Sequence, residues 1–331
     1  MVTMTKSNQV SRSLLPRGLK TFVSNNGSIL LIYGLIVLVG GATAIFSENF
    51  RQFSNLISLF RQSIILALIA IGQSVVVLTG GMDMSVAMVA RIVALIVATF
   101  FSWNSSPTMI VPMILLGVTI GALIGGINGL LVTRTHADPF IITFGVASVL
   151  RGINLAIATT PIRGIPSEYL KIYDARVAGV PINVIVMLVI WFLAWLFTTR
   201  VRAGRALFAV GGSERVARLS AIRVNRTLVQ AYVISGVFAA LAGLFFLSRT
   251  GVGDPSAAEG LDFQSVVAVA VGGISLYGGK GSIIGTLGGV LLLSMLSNVF
   301  NIVQVNIFYQ QLLLGLIVLI AVAAYKTPRS V

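Results

Sequence analysis

The chain reads as an all-α, polytopic transmembrane helical bundle of about ten spans, with both termini cytoplasmic and several helices broken by glycine. Three observations predict that class. Of the 331 residues, 56% are hydrophobic and only 10% are charged, where a soluble domain carries about 25% charged residues, and the mean hydropathy is +0.99. Apolar windows of about 20 residues, the length that crosses a bilayer as a helix, recur from end to end. Nearly all of the 23 lysines and arginines fall between those windows.

The first 27 residues carry Lys6, Arg12, Arg17 and Lys20 and no acid, so 1–27 reads as a cytoplasmic tail. The apolar segment 28–46 is longer than a signal-peptide core and has no small-residue cleavage site, which makes it a retained first span. Further windows lie at approximately 61–80, 84–103, 108–132, 139–159, 181–199, 229–248, 262–278, 281–300 and 307–325, forming one transmembrane domain over 28–325 and leaving 326–331 as a second tail. An even span count returns both ends to one side. With the N-terminus inside, the inner segments hold 15 Lys and Arg and the outer segments 6, while Arg91 and Arg151 fall within spans; positive charge gathers on the cytoplasmic side of membrane proteins.

The long interruption at 200–228 holds Arg200, Arg202, Arg205, Glu214, Arg215, Arg218, Arg223 and Arg226. Within it, 204–220 reads as a short helix built to dock on a partner, the plainer alternative being a solvated basic loop.

Composition also excludes whole classes. The net charge of +14 is a topology signal here and points to no nucleic acid. With no cysteine and the single His136 in a polar turn, there is no thiol nucleophile, no evident metal site and no His, Asp and Glu cluster for catalysis, and no cofactor is expected. The glycine-rich break Gly272–Ser282 invites comparison with a phosphate-binding loop. Counting back from Gly279-Lys280, however, puts Ile274 where that loop needs its first glycine, and Gly281 follows the lysine. The segment therefore reads as a turn with Lys280 facing the inside.

A carboxylate between apolar segments costs about 2.5–3.5 kcal/mol if it reaches the bilayer centre, so Asp83 in Gly80-Gly-Met-Asp-Met-Ser-Val86 must face protein, a cavity or water. One reading makes it the cap of a helix starting at Met84; the other places it on the solute path. Asp83, Asn128, Thr143 and Asn298 are the candidate path or helix-break residues. Asp83 and Arg91 fall on one helix stripe, which would let them interact through a bridging group or water, while Arg151 would snorkel at the outer interface. Neutral groups such as Gln73, Asn128, Thr143, Asn154, Gln264, Asn298 and Gln310 outnumber carboxylates, which suits hydrogen bonding to an uncharged polyhydroxyl solute better than a proton relay. The spacing of Gly117, Gly121 and Gly125 suits close helix packing within the chain.

Several segments together resemble one family, the permease subunits of bacterial ABC importers of the ribose, galactose, xylose and autoinducer-2 type. Gly80–Val86 is similar to its Gly-Gly-Ile-Asp-Leu-Ser-Val-Gly motif, with Met82 and Met84 for aliphatics and Ala87 for the last glycine. Asp138-Pro-Phe-Ile-Ile-Thr-Phe-Gly145 and Leu150-Arg-Gly152 resemble two further elements. Gly204–Ile222 is similar to its cytoplasmic segment, with Ser213 for asparagine and Ala221 for glycine, and Ala270–Thr286 is the nearest match. Arg91 departs from the pattern, which has small or apolar residues there. The resemblance spans roughly residues 50–325.

It implies a division of labour in the bacterial inner membrane. A periplasmic solute-binding protein delivers a small sugar-like solute, and two permease chains, as a homodimer or heterodimer in membrane lipid, form the path. A cytoplasmic ATP-binding subunit supplies the stroke. The coupling segment would comprise Ser213, Glu214, Val216, Ala217, Leu219, Ser220 and Ile222, with Val216, Leu219 and Ile222 inserted in the ATPase groove and the arginines at its rim. An ion-coupled secondary transporter is the alternative and should carry an ion site; an integral membrane transferase would want a catalytic cluster.

Overall fold

The computed structural model describes residues 17–135, 137–306, 308–310, 312–313 and 315–316. Its helices, in chain order, are α1 (Arg17–Phe46), α2 (Glu48–Arg51), α3 (Phe53–Leu78), α4 (Val86–Trp103), α5 (Ile110–Thr135), α6 (Pro139–Ile157) and α7 (Ser167–Asp174). They continue as α8 (Ile182–Arg200), α9 (Arg202–Gly212), α10 (Glu214–Leu219), α11 (Val224–Thr250), α12 (Leu261–Val271) and α13 (Ile283–Ile302). The described strand content is a two-residue hairpin, Arg176–Val177 with Val180–Pro181. The helical bundle is the expected class.

Among the described residues, eight helices are long and apolar enough to cross a membrane. They correspond to the windows from 28–46 to 229–248 and to 281–300. The window 262–278 does not give a full span: α12 stops at Val271, because Gly273 turns the chain at φ +88°, which glycine adopts freely. The window 307–325 lies largely outside the described residues, as do 1–16, His136 and 326–331. Helix α1 already begins at Arg17, inside the segment read as tail. Helix α3 begins eight residues before its window, because the polar Asn55 in its first turn is satisfied by a reciprocal pair with Asn298 of α13, at 2.9 and 3.2 Å.

Helix α11 is the central post and packs against α3, α4 and α5. Its contact with α5 explains the glycine spacing: a Cβ on Gly121 would stand 2.3 Å from the Gly236 carbonyl oxygen, and one on Gly125 would stand 2.2 Å from that of Tyr232. No side chain fits, so the spacing packs helices within this chain. By contrast α1, α5, α6 and α8 leave large apolar side chains exposed along their lengths, Leu38, Leu123, Ile141 and Phe192 among them, as lipid-facing helices do.

Helix α7 fastens the end of the bundle opposite α9 and α10. Arg61, in the third turn of α3, pairs with Asp174 and lies 4.8 Å over the Tyr173 ring. The Tyr169 hydroxyl, whose pKa burial pushes well above its usual value, donates to the Leu244 carbonyl at 2.9 Å.

Candidate functional site

The site begins where α3 gives out. The Thr79 hydroxyl donates back to the Val76 carbonyl at 2.7 Å, and Gly80 turns the chain with φ +85°. Residues 81–83 belong to no helix or strand, and helix resumes at Val86, two residues beyond the expected start at Met84.

Asp83 is the reason the gap stays closed. One carboxylate oxygen accepts from the Ser85 backbone N–H at 3.0 Å and the Ser85 hydroxyl at 2.7 Å. The other accepts from the Ser235 hydroxyl of α11 at 2.8 Å. Its bond to Ser85 N–H is an Asx-type turn two residues long, which sets up the next helix without being the cap itself.

The backbone around it is served by side chains from other helices. The Gln73 amide, with its nitrogen toward the Asp83 carbonyl, donates there at 3.0 Å and accepts from the Asp83 N–H at 3.3 Å. Thr143 of α6 accepts from the Met84 N–H at 3.0 Å and lies 3.1 Å from the Met82 carbonyl. Asn128 of α5 donates to the Ser85 hydroxyl at 2.7 Å. All six side chains are buried, so backbone left unwound between two apolar helices finds its partners in protein.

Of the four residues singled out from sequence, the fold therefore unites Asp83, Asn128 and Thr143. It sends Asn298 to Asn55 at the other end of α3. Asp83 and Arg91 do not meet, because Asp83 is not helical and the Arg91 Nε donates to the Ala257 carbonyl at 2.7 Å. Arg151 is exposed. Gln73, Ser85 and Ser235 complete the cluster; Ser235 had no local sequence signal, since a serine 152 residues away is indistinguishable from any other.

The second break, Gly272–Ser282, folds as a tight loop in which Ser275 N–H donates to the Lys280 carbonyl at 2.9 Å, with Lys280 exposed. The two breaks meet: Gly279 N–H donates to the Leu78 carbonyl at 3.0 Å, and a Cβ on Gly278 would stand 2.6 Å from Gly80 N. The end of α9 joins them, since a Cβ on Gly211 would stand 2.0 Å from the Leu78 oxygen and 2.6 Å from Gly279 N. Three glycine-bearing segments thus touch backbone to backbone.

Immediately after this junction, Ser213 caps α10 by accepting from Val216 N–H at 3.3 Å. Ala217 is buried, while Val216 and Leu219 are 60% and 81% exposed. Glu214, exposed, reaches Arg218 one turn on. Ile222 was expected to point outward with them; it is half-buried against Val210, Ala217, Val224 and Leu228. The exit from α10 explains this: Ile222 N–H donates to the Ala217 carbonyl and Ala221 N–H to that of Arg218, at 3.0 and 3.1 Å. This is the paired C-terminal motif that needs a left-handed residue, here Ala221 at φ +60°. Ser220 precedes it, exposed.

Residues 55–322 match the family described as branched-chain amino acid transport system, permease component. The ribose import permease of Haemophilus influenzae is 33% identical over 295 residues, covering 88% of this chain and 90% of that protein. The D-allose transport system permease of Escherichia coli is 33% identical over 296 residues, covering 88% and 90%. The ribose import permease of Bacillus subtilis is 36% identical over 299 residues, covering 89% and 91%. No solved structure gives a significant match. With a family match over most of its length and eight apolar spanning helices, the chain belongs to this family of ABC-type import permeases, as a multi-pass protein of the bacterial inner membrane.

Proposed function

We propose that the chain is the membrane path through which a small neutral sugar enters the bacterial cytoplasm, driven by ATP hydrolysed on a separate subunit that binds α10. One observation carries the reading: α10 presents Val216 and Leu219 to the outside within three residues of a glycine junction that touches both helix breaks. Exposed apolar side chains on a short capped helix amid arginines suit insertion in a protein groove with a polar rim. A push on α10 would reach the breaks through backbone contacts, which leave little room for compliant side chains. A periplasmic solute-binding protein and a second permease chain, identical or not, complete the assembly, and alternating access follows from ATP biasing a pair of states.

The family description and the relatives' names differ over the solute. The family is described by branched-chain amino acids, whereas the relatives named here import ribose or allose, and another imports fructose. An amino acid zwitterion asks for paired charges. The interior of this chain instead offers buried amides and hydroxyls, with Asp83 already engaged by serines.

The test is uptake into proteoliposomes holding the permease, its ATPase and its binding protein, with labelled D-ribose, D-allose, D-fructose and L-leucine compared. ATP-dependent uptake of one of the sugars is expected. Uptake that persists without the ATPase would favour an ion-coupled secondary transporter, and uptake of leucine alone would overturn the sugar assignment.

A further inference from the structure

A cavity of about 360 Å³ opens between the middle of α3, the end of α11, the connection 251–260, the start of α12 and the middle of α13. It is separate from the Asp83 cluster. Gln62, on its wall, precedes Gln73 by eleven residues along α3, which places the two about 16 Å apart at the helical rise. The size lies in the range of small-molecule sites, which begins at about 300 Å³.

The polar lining is distinctive for what it does not do. Hydroxyls on the apolar helices of this chain habitually donate to the carbonyl one turn back, as Ser63, Ser74, Thr99, Thr119 and Thr198 do. Ser294 and Ser297, half-buried on α13, do not; nor do the Gln62 and Gln264 side chains hydrogen-bond to protein among the described residues. Four neutral polar side chains without a hydrogen bond to the described residues thus line one space, beside Ser256 and the opposite charges of Arg249 and Glu259, which can also bond hydroxyls. Phe246 lines the same space, offering an apolar face for ring C–H groups.

One wall is held by a residue that the family pattern does not predict. Arg91 is buried and grips the Ala257 carbonyl at 2.7 Å; the flanking Ser256, Ala258 and Glu259 line the cavity. Through that bond α4 ties the connection 251–260 to the bundle. Arg91 is thereby a positioning residue for the wall.

We infer that this cavity is a solute-holding site of the permease, taking a small uncharged polyhydroxyl molecule on Gln62, Gln264, Ser294 and Ser297. The inference rests on the sugar reading above and adds the place where the sugar is held. It puts the site toward the end of the bundle closed by α7, opposite the α10 docking helix.

The test uses the complete reconstituted transporter and whichever of D-ribose, D-allose and D-fructose the parent takes up. Ser294→Leu fills the cavity and should cut uptake roughly tenfold or more, since a site built to bond hydroxyls discriminates strongly when those bonds are lost. Gln264→Ala should cut it as well, with membrane abundance and ATPase co-purification at parental levels in both. Because the chain has no cysteine, Ser297→Cys supplies a unique thiol, whose reaction with an impermeant thiol reagent should slow when the sugar and loaded binding protein are present. Parental uptake by Ser294→Leu and Gln264→Ala, or thiol reaction indifferent to sugar, would overturn this inference while leaving the sugar reading intact. A parent that takes up none of the three sugars would overturn both.

Discussion

The backbone N–H of Gly279 donates to the carbonyl of Leu78 across 3.0 Å, joining two helix breaks that lie two hundred residues apart in sequence. Gly211 packs on that bond so closely that a Cβ there would stand 2.0 Å from the Leu78 oxygen, whereas one on neighbouring Gly212 would meet nothing within 4 Å. Gly211→Ala should therefore destabilise the purified protein by about 1–3 kcal/mol, the usual penalty of overpacking, and lower uptake. Gly212→Ala should melt near the parent. Thermal unfolding of the two variants in detergent, measured side by side, checks this; equal melting would remove the junction from the account.

Asp83 accepts from three donors. Asp83→Asn keeps an acceptor oxygen for Ser85 and presents an amide to the Ser235 hydroxyl, so it should transport at close to the parental rate. Asp83→Ala strands buried donors, each worth about 1–3 kcal/mol, and should act through lower membrane abundance. Equal transport loss in both variants at equal abundance would show that the charge itself works in the mechanism.

Leu219 is the most exposed side chain of α10 among its apolar residues. Leu219→Glu should leave the permease inserted and weaken ATPase binding by roughly a hundredfold or more, because an unpartnered buried carboxylate costs about 3–5 kcal/mol. Co-purification of the ATPase at parental yield would exclude docking at this face.

Ala221 holds a left-handed conformation at φ +60°, which costs an L-residue about 1–2 kcal/mol. Ala221→Gly should stabilise by up to about 1 kcal/mol, the balance being taken by the looser unfolded chain. A rise in melting temperature without loss of ATPase binding is the expected result.

Ser213 and Ser167 are both exposed, at opposite ends of the bundle. Single cysteines placed at each should react with an impermeant reagent from opposite faces of the membrane. Reaction from one face would overturn the orientation derived from positive charge.

The bundle was legible because bilayer thickness imposes one length on every span, and hydropathy reads that length directly. Span ends were less so: the start of α3 depends on Asn55 finding Asn298, a pairing that leaves no local trace. The Asp83 break announced itself through two glycines and an acid in an apolar setting, and Asn128 and Thr143 through polarity within spans. What polarity alone could not do was sort partners, so Asn298 looked equivalent to them and Ser235 looked ordinary. Ile222 was misplaced for a related reason. Its helical spacing suggested one face with Val216 and Leu219, but the left-handed Ala221 had already turned the chain inward.

The bond from Ser235 to Asp83 also sets a schedule. Serine 235 lies 152 residues beyond the carboxylate, so at roughly 5–20 residues per second the ribosome needs about 8–30 s to deliver it. Throughout that interval a half-satisfied acid waits among newly inserted helices, where membrane quality control encounters it. Lesions in α11 would then register in the young chain, as pulse-labelled protein degraded soon after synthesis, before any transporter exists to be slow.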